Sequence, residues 1–147
     1  MIDTDLIAIT SAMMKHRNEE VREQSALLIG SFATHGRACE SLMLYSFKNL
    51  KELLEDADQK VRNATAWVFY KLSVTDAGRE CIRDTQSADQ MIASFINHSN
   101  QDGISAEKGQ YLISLLEAFA NLTINDYGIE PLLGKGAIQQ FSTLFSA

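Results

Sequence analysis

One proline and eight glycines in 147 residues leave little to interrupt regular structure. Their scarcity, with Leu, Ala, Glu and Lys recurring at 3.6-residue spacing, predicts an all-helical protein. Only two cysteines are present, Cys39 and Cys81, at matching places in two similar stretches. Matching places predict a separation of about one helix packing distance, ~10 Å, beyond disulfide reach, and so two buried free thiols. His16, His35 and His98 fall near predicted helix ends, and none stands four residues from another or from a cysteine, so no metal site is expected. Basic residues are in the minority, 13 Lys and Arg against 19 Asp and Glu, for a net charge of −6. That field opposes nucleic acid and anionic membrane surfaces. No apolar run approaches the ~18 residues that span a bilayer, and the opening "MIDTDLIAIT" carries acids where a secretory signal has bases. The expectation is an intracellular, cytoplasmic protein with no cofactor, no nucleic-acid partner and no membrane insertion. In that setting the glycosylation-like triplets at Asn63, Asn97 and Asn121 carry no meaning.

Hydrophobic residues make up 46% of the chain and charged ones 22%, ordinary for a globular protein long enough to bury a core. The apolar pattern repeats. Val21-Arg22 in "NEEVREQSALLIGSFATHGRAC" returns as Val61-Arg62 in "DQKVRNATAWVFYKLSVTDAGREC", 40 residues on, and pairs Ala26 with Ala66, Leu28 with Val68 and Phe32 with Leu72. Both stretches close on Gly-Arg-x-Cys, at Gly36 and Gly78, 42 residues apart. A third copy, "YLISLLEAFANLTINDYGIEPLL", aligns at an offset of 50, Phe119 with Phe69 and Leu122 with Leu72. A shorter apolar helix precedes each long one, in "LIAITSAMM", "FKNLKELLE" and "DQMIASFI", and a fourth, "AIQQFSTLF", stands near the end. Residues 97–109, "NHSNQDGISAEKG", are rich in turn formers and read as an enlarged, mobile loop. A period of about 40 to 50 residues is that of helical repeats whose copies bury their apolar faces against one another. Approximate units are 1–45, 46–85, 86–135 and a partial 136–147, and Ala26 and Ala66 should lie buried where long helices pack closely.

Catalytic patterns are weak. "GIEPLLGKG" has the wrong glycine spacing for a phosphate-binding loop, puts Gly136 where Ser or Thr should be, and follows no strand. No nucleophile elbow or paired-carboxylate setting stands out, and polar residues fall on periodic solvated faces. The expectation is therefore no enzyme.

"GKGAIQQFSTLF", "ATAWVFYKLSV" and "LLEAFANLTIN" resemble the armadillo family, the first as the opening of a second helix and the others as third helices with their Trp-x-x-x-Asn pattern. "EDADQKVRNA" is similar to the related HEAT units, and the spacing from "NLKELLEDADQKVRNA" to "AGRECI" resembles armadillo proteins of ciliary radial spokes. The resemblance implies a right-handed α-solenoid of about three units plus a partial fourth. It also implies a concave face of third helices that holds a peptide or protein. Trp67 matches the Trp position and Asn121 the Asn position, whereas Leu27 and Glu117 replace Trp, and Ser31 and Lys71 replace Asn. The expected face is thus mixed: Glu23, Asn63 and Ile113 in one row, Leu27, Trp67 and Glu117 in the next, Ser31, Lys71 and Asn121 in the third.

Trp67 has two readings, an exposed anchor beside Lys71 or a side chain buried between helices. The function implied is a scaffold or adaptor. The alternative is a building block, in axonemal assembly for example, that oligomerises or is capped by another chain through Ile138, Phe141, Leu144 and Phe145, which no long helix follows to cover.

Overall fold

The computed structural model describes residues 4–99 and 105–125. They are all-α, with no strand: α1 (Thr4–Met13), α2 (Glu19–Ala33), α3 (Cys39–Tyr45), α4 (Phe47–Leu53), α5 (Gln59–Ser73), α6 (Asp76–Asp84), α7 (Ser87–Ser99) and α8 (Ala106–Leu122), with 3-10 turns at Gly36–Ala38 and Thr123–Asn125. The short apolar segments "LIAITSAMM", "FKNLKELLE" and "DQMIASFI" fall in α1, α4 and α7. The fourth, with Ile138, Phe141, Leu144 and Phe145, lies outside the described residues.

Side-chain caps start the three long helices at like places. Asn18 Oδ1 accepts from the amides of Glu20 and Val21, at 2.8 and 3.2 Å, and Asp58 Oδ1 from those of Lys60 and Val61, at 2.9 and 3.2 Å. Ser105 Oγ accepts from Lys108 N at 3.2 Å. Each bond satisfies a donor that the first helical turn would otherwise leave orphaned. Thr75 caps α6 through Gly78 N at 3.0 Å, and Gly78 itself is required: a Cβ there would stand 1.8 Å from the Leu72 carbonyl oxygen. Its bare backbone lets α6 fold back on the end of α5.

The long helices lie side by side in the order α2, α5, α8, with α5 against both others. Behind them α1 and α3 meet, α4 packs on α7, and α3 packs on α6. Ala26 and Ala66 are fully buried, which admits the close approach of α2 and α5. Phe47 meets Phe69 edge-on at 6.2 Å, joining α4 to α5, and Phe95 meets Phe119 at 5.8 Å, joining α7 to α8. Polar bonds cross between consecutive helix groups as well: Lys51 Nζ donates to Thr85 O at 3.0 Å and Ser94 Oγ to Leu54 O at 3.2 Å.

Two expectations are corrected. The enlarged loop is shorter than 97–109, because α7 runs on through Ser99 and α8 starts at Ala106. One long-range and two local bonds hold these ends: Asn97 Nδ2 donates to Glu55 at 3.1 Å, Ser99 Oγ donates to Ile96 O at 3.1 Å, and Ser105 caps α8. His98 and Lys108 are buried rather than set in a loop. The second correction concerns the cysteines. Both are buried and free, but they are neighbours, with Cys81 Sγ 3.7 Å from Cys39 O. The ~10 Å expected from helix packing is an axis-to-axis spacing, and the Cys81 side chain reaching inward to the backbone of Cys39 closes most of it.

Candidate functional site

A cleft of about 300 Å³ opens on the face formed by α2, α5 and α8. Glu23 and Leu27 line it from α2, Lys60, Asn63, Ala64 and Trp67 from α5, and Gln110 and Ser114 from α8. Leu27, Trp67 and Ala64 give it an apolar side, and Glu23, Lys60 and two amides offer both donors and acceptors. Asn63 Oδ1 is held by Gln59 Nε2 at 2.9 Å, which leaves its amide nitrogen turned to other partners.

Trp67 is half-buried, and both sequence readings of it apply in part. Its six-membered ring lies on Gly30 of α2, where an added Cβ would sit 2.3 Å from Cζ3 and 2.8 Å from Cε3. The same side chain is part of the cleft lining. Lys71 Nζ stands 5.5 Å from the centre of the indole ring, within cation–π range, and 6.0 Å from that of Tyr70. Lys71 touches Trp67 but does not itself line the cleft.

Four of the nine residues named from the sequence line this cleft: Glu23, Leu27, Asn63 and Trp67. Of the others, Ser31, Lys71, Glu117 and Asn121 occupy the C-terminal halves of the long helices, beyond the cleft. Ser31 is exposed and donates to Leu27 O of its own helix at 3.2 Å. Asn121 is half-buried and donates to Ser73 Oγ at 3.0 Å, a bond that ties α8 to α5. Glu117 is exposed, and Ile113, half-exposed at 49%, does not line the cleft either. Gln110 and Ser114 take the places expected of Ile113 and Glu117. Sequence reasoning missed Gly30, Lys60, Ala64, Gln110 and Ser114. A lone glycine inside the helical pattern "ALLIGSFA" was a readable sign of close approach, whereas no local signal marks the other four.

Two other polar groupings shape the surroundings. Arg22 forms a two-pronged pair with Asp56, Nε to Oδ2 at 2.8 Å and NH2 to Oδ1 at 3.0 Å, and its NH1 donates to the carbonyls of His16 and Arg17 at 2.9 and 3.0 Å. The hydrogen bond to Asp56 raises the Arg22 pKa further. His98 packs edge-on against Tyr111 at 5.3 Å, and its Nε2 lies 3.2 Å from Glu55 Oε2, while its Nδ1 is buried without a hydrogen-bond partner. Burial lowers the His98 pKa; Glu55 opposes the shift, and Arg62 and Lys108 add to it. Among the described residues no group of three or more His, Cys, Asp or Glu is placed to hold a metal ion. None of their helices is long and apolar enough to cross a membrane.

No family model and no curated protein matches the chain. Among solved structures it is similar to an engineered protein determined by the Northeast Structural Genomics Consortium, with a TM-score of 0.76 at 17% sequence identity. The match covers 97% of this chain and 56% of that one, so the chain spans little more than half its length. At this identity the likeness speaks to the fold alone.

Proposed function

We propose that the chain is a non-catalytic, armadillo-like binding module, a right-handed α-solenoid of about three units and a partial fourth, that holds an extended peptide segment across α2, α5 and α8. One observation carries the reading: the cleft on that face places a half-buried indole among groups that match a peptide backbone, Asn63 and Gln110. Trp67 supplies apolar area already fixed against Gly30, so little side-chain freedom remains to be lost on binding. Amides supply donors and acceptors without demanding a charged ligand. The order α2, α5, α8, with like caps at like positions, supports a stack of similar units.

The test is selection of peptides from a random displayed library against the immobilised protein, followed by titration of each into free protein with Trp67 emission as the signal. Selected peptides should shift that emission, and Trp67→Ala should weaken them by ~2 kcal/mol or more, about 30-fold, a hot-spot magnitude. Failure to select any peptide, or binders indifferent to Trp67→Ala and to Glu23→Lys, would remove the reading.

A second reading, a building block that assembles with another chain, is favoured by a different observation on the α1–α2 flank, while the end named from the sequence, Ile138, Phe141, Leu144 and Phe145, lies outside the described residues. Ile9, Met13 and Leu28, exposed by 60, 43 and 40%, surround an apolar cleft of about 450 Å³ between α1 and α2. Light scattering separates the two: a monomer across micromolar concentrations supports the adaptor, and a dimer or chain dispersed by Ile9→Lys supports the building block.

A further inference from the structure

Cys39 opens α3, Cys81 lies inside α6, and the two helices pack directly on each other. The Cys81 thiol donates to the Cys39 carbonyl oxygen across that contact, at 3.7 Å. Both sulfurs are free and buried, with Cys39 6% and Cys81 3% exposed. The chain has no other thiol to compete with this pair. We propose that Cys39 and Cys81 are a reversible disulfide pair that staples α3 to α6.

The two thiols are not equivalent. Interaction with Cys39, followed by burial, drives the Cys81 pKa up, and the same interaction lowers that of Cys39. Cys39 is thus the first to ionise and the attacking sulfur. The oxidant is a small disulfide such as oxidised glutathione. The Cys39 thiolate attacks one of its sulfurs, the S–S bond breaks, and one glutathione departs, taking up the proton that Cys39 released. Cys81 then gives up its proton and attacks the Cys39 sulfur, and the second glutathione departs with that proton. Two cysteines are oxidised, two glutathione sulfurs are reduced, and the protein loses two hydrogen atoms. Cys81 Sγ already reaches the Cys39 backbone, so closure to the ~2.05 Å of an S–S bond asks the two side chains to turn towards each other. Neither α3 nor α6 lines the cleft on α2, α5 and α8. The staple therefore fixes the spacing of two consecutive helix groups without altering a cleft residue.

The experiment is incubation of the native protein with an excess of oxidised over reduced glutathione, well below its melting temperature. Trapping with iodoacetamide, non-reducing mass spectrometry and far-UV circular dichroism follow. Expected are loss of both free thiols, a monomer lighter by two hydrogen atoms, a Cys39–Cys81 cross-linked peptide and unchanged helicity. Tm should rise by about 5–10 °C and fall back on addition of dithiothreitol, since the bond closes a loop between residues 42 apart. Cys81→Ala should stop at a glutathione adduct on Cys39. Two thiols that stay alkylatable, two separate glutathione adducts, or cross-links between chains would each overturn the pair. A Cys39–Cys81 bond formed only with loss of helicity would overturn it as well, because it would belong to the opened chain.

Discussion

Gly30 and Trp67 form one unit although they stand on different helices. An alanine at position 30 would favour the helix by ~1 kcal/mol in backbone terms, but its Cβ meets the indole at 2.3 Å, and a rigid bicyclic ring must swing as a whole to clear it. Overpacking of this kind costs ~1–3 kcal/mol, which outweighs the propensity gain. Gly30→Ala should therefore lower stability by about 1 kcal/mol in urea titration and move Trp67 emission to the red as the ring is pushed towards solvent. A blue shift would mean that the ring had moved inward and that the cleft wall is wrongly placed. His98 gives a prediction in pH. Its folded-state pKa lies below the unfolded value because burial disfavours the cation, so the unfolded chain binds the extra proton first. Stability should hold above pH ~6.5, the unfolded histidine value, and decline as pH falls from there towards the folded pKa. Glu55, Arg62, Lys108 and Tyr111 are the ionisable groups around the ring, and none removes this sign. Thermal melts between pH 7 and 5 should show the decline, and His98→Gln should flatten it; equal slopes in both proteins would sink the assignment.

Elements were legible in the sequence wherever the signal was local. The 3.6-residue period located the helices, and Asn18 and Asp58 stand as polar residues just before apolar runs, a start signal that needs no tertiary knowledge. The end of α7 was misjudged because turn-forming residues in "NHS" became helical through bonds to Glu55, which lies 42 residues back along the chain from Asn97. Membership of the cleft depends on how far along each helix its neighbour crosses, and a one-dimensional alignment does not contain that offset. Hence Glu23, Leu27, Asn63 and Trp67 were found, while Gln110 and Ser114 were displaced by Ile113 and Glu117. Connections between elements bring a third prediction. Asp56, at the turn between α4 and α5, takes two bonds from Arg22 of α2 and one from its own chain at Asp58 N, 2.9 Å away. With side chains only 17% and 9% exposed, Arg22 and Asp56 have little water to replace a lost partner. Asp56→Ala should cost ~3–5 kcal/mol in chemical denaturation, the range for breaking such a pair on one side. The double change Arg22→Met with Asp56→Leu should recover much of that loss; a single-variant cost below ~0.5 kcal/mol would show that the pair is held no more firmly than a surface one.

At the scale of the whole molecule, α5 is bordered on one side by α2 and on the other by α8, and it also touches α4 and α6. Every described route from the first helices to the last long one passes through it or beside it. A helix so placed cannot open until a neighbour has left, whereas α1 and α2 present exposed Ile9, Met13 and Leu28 along a flank that no described element covers. Amide hydrogen exchange should therefore be graded along the chain: slowest between Val61 and Leu72, where exchange waits for opening of the whole structure, and faster in α1, whose amides need only partial opening. Uniform protection across α1, α2 and α5 would instead mean a single all-or-none unit. On the graded outcome, α5 is the part of the chain that remembers the fold longest, and the helix that carries Trp67 would keep its shape while the flank beside it breathes.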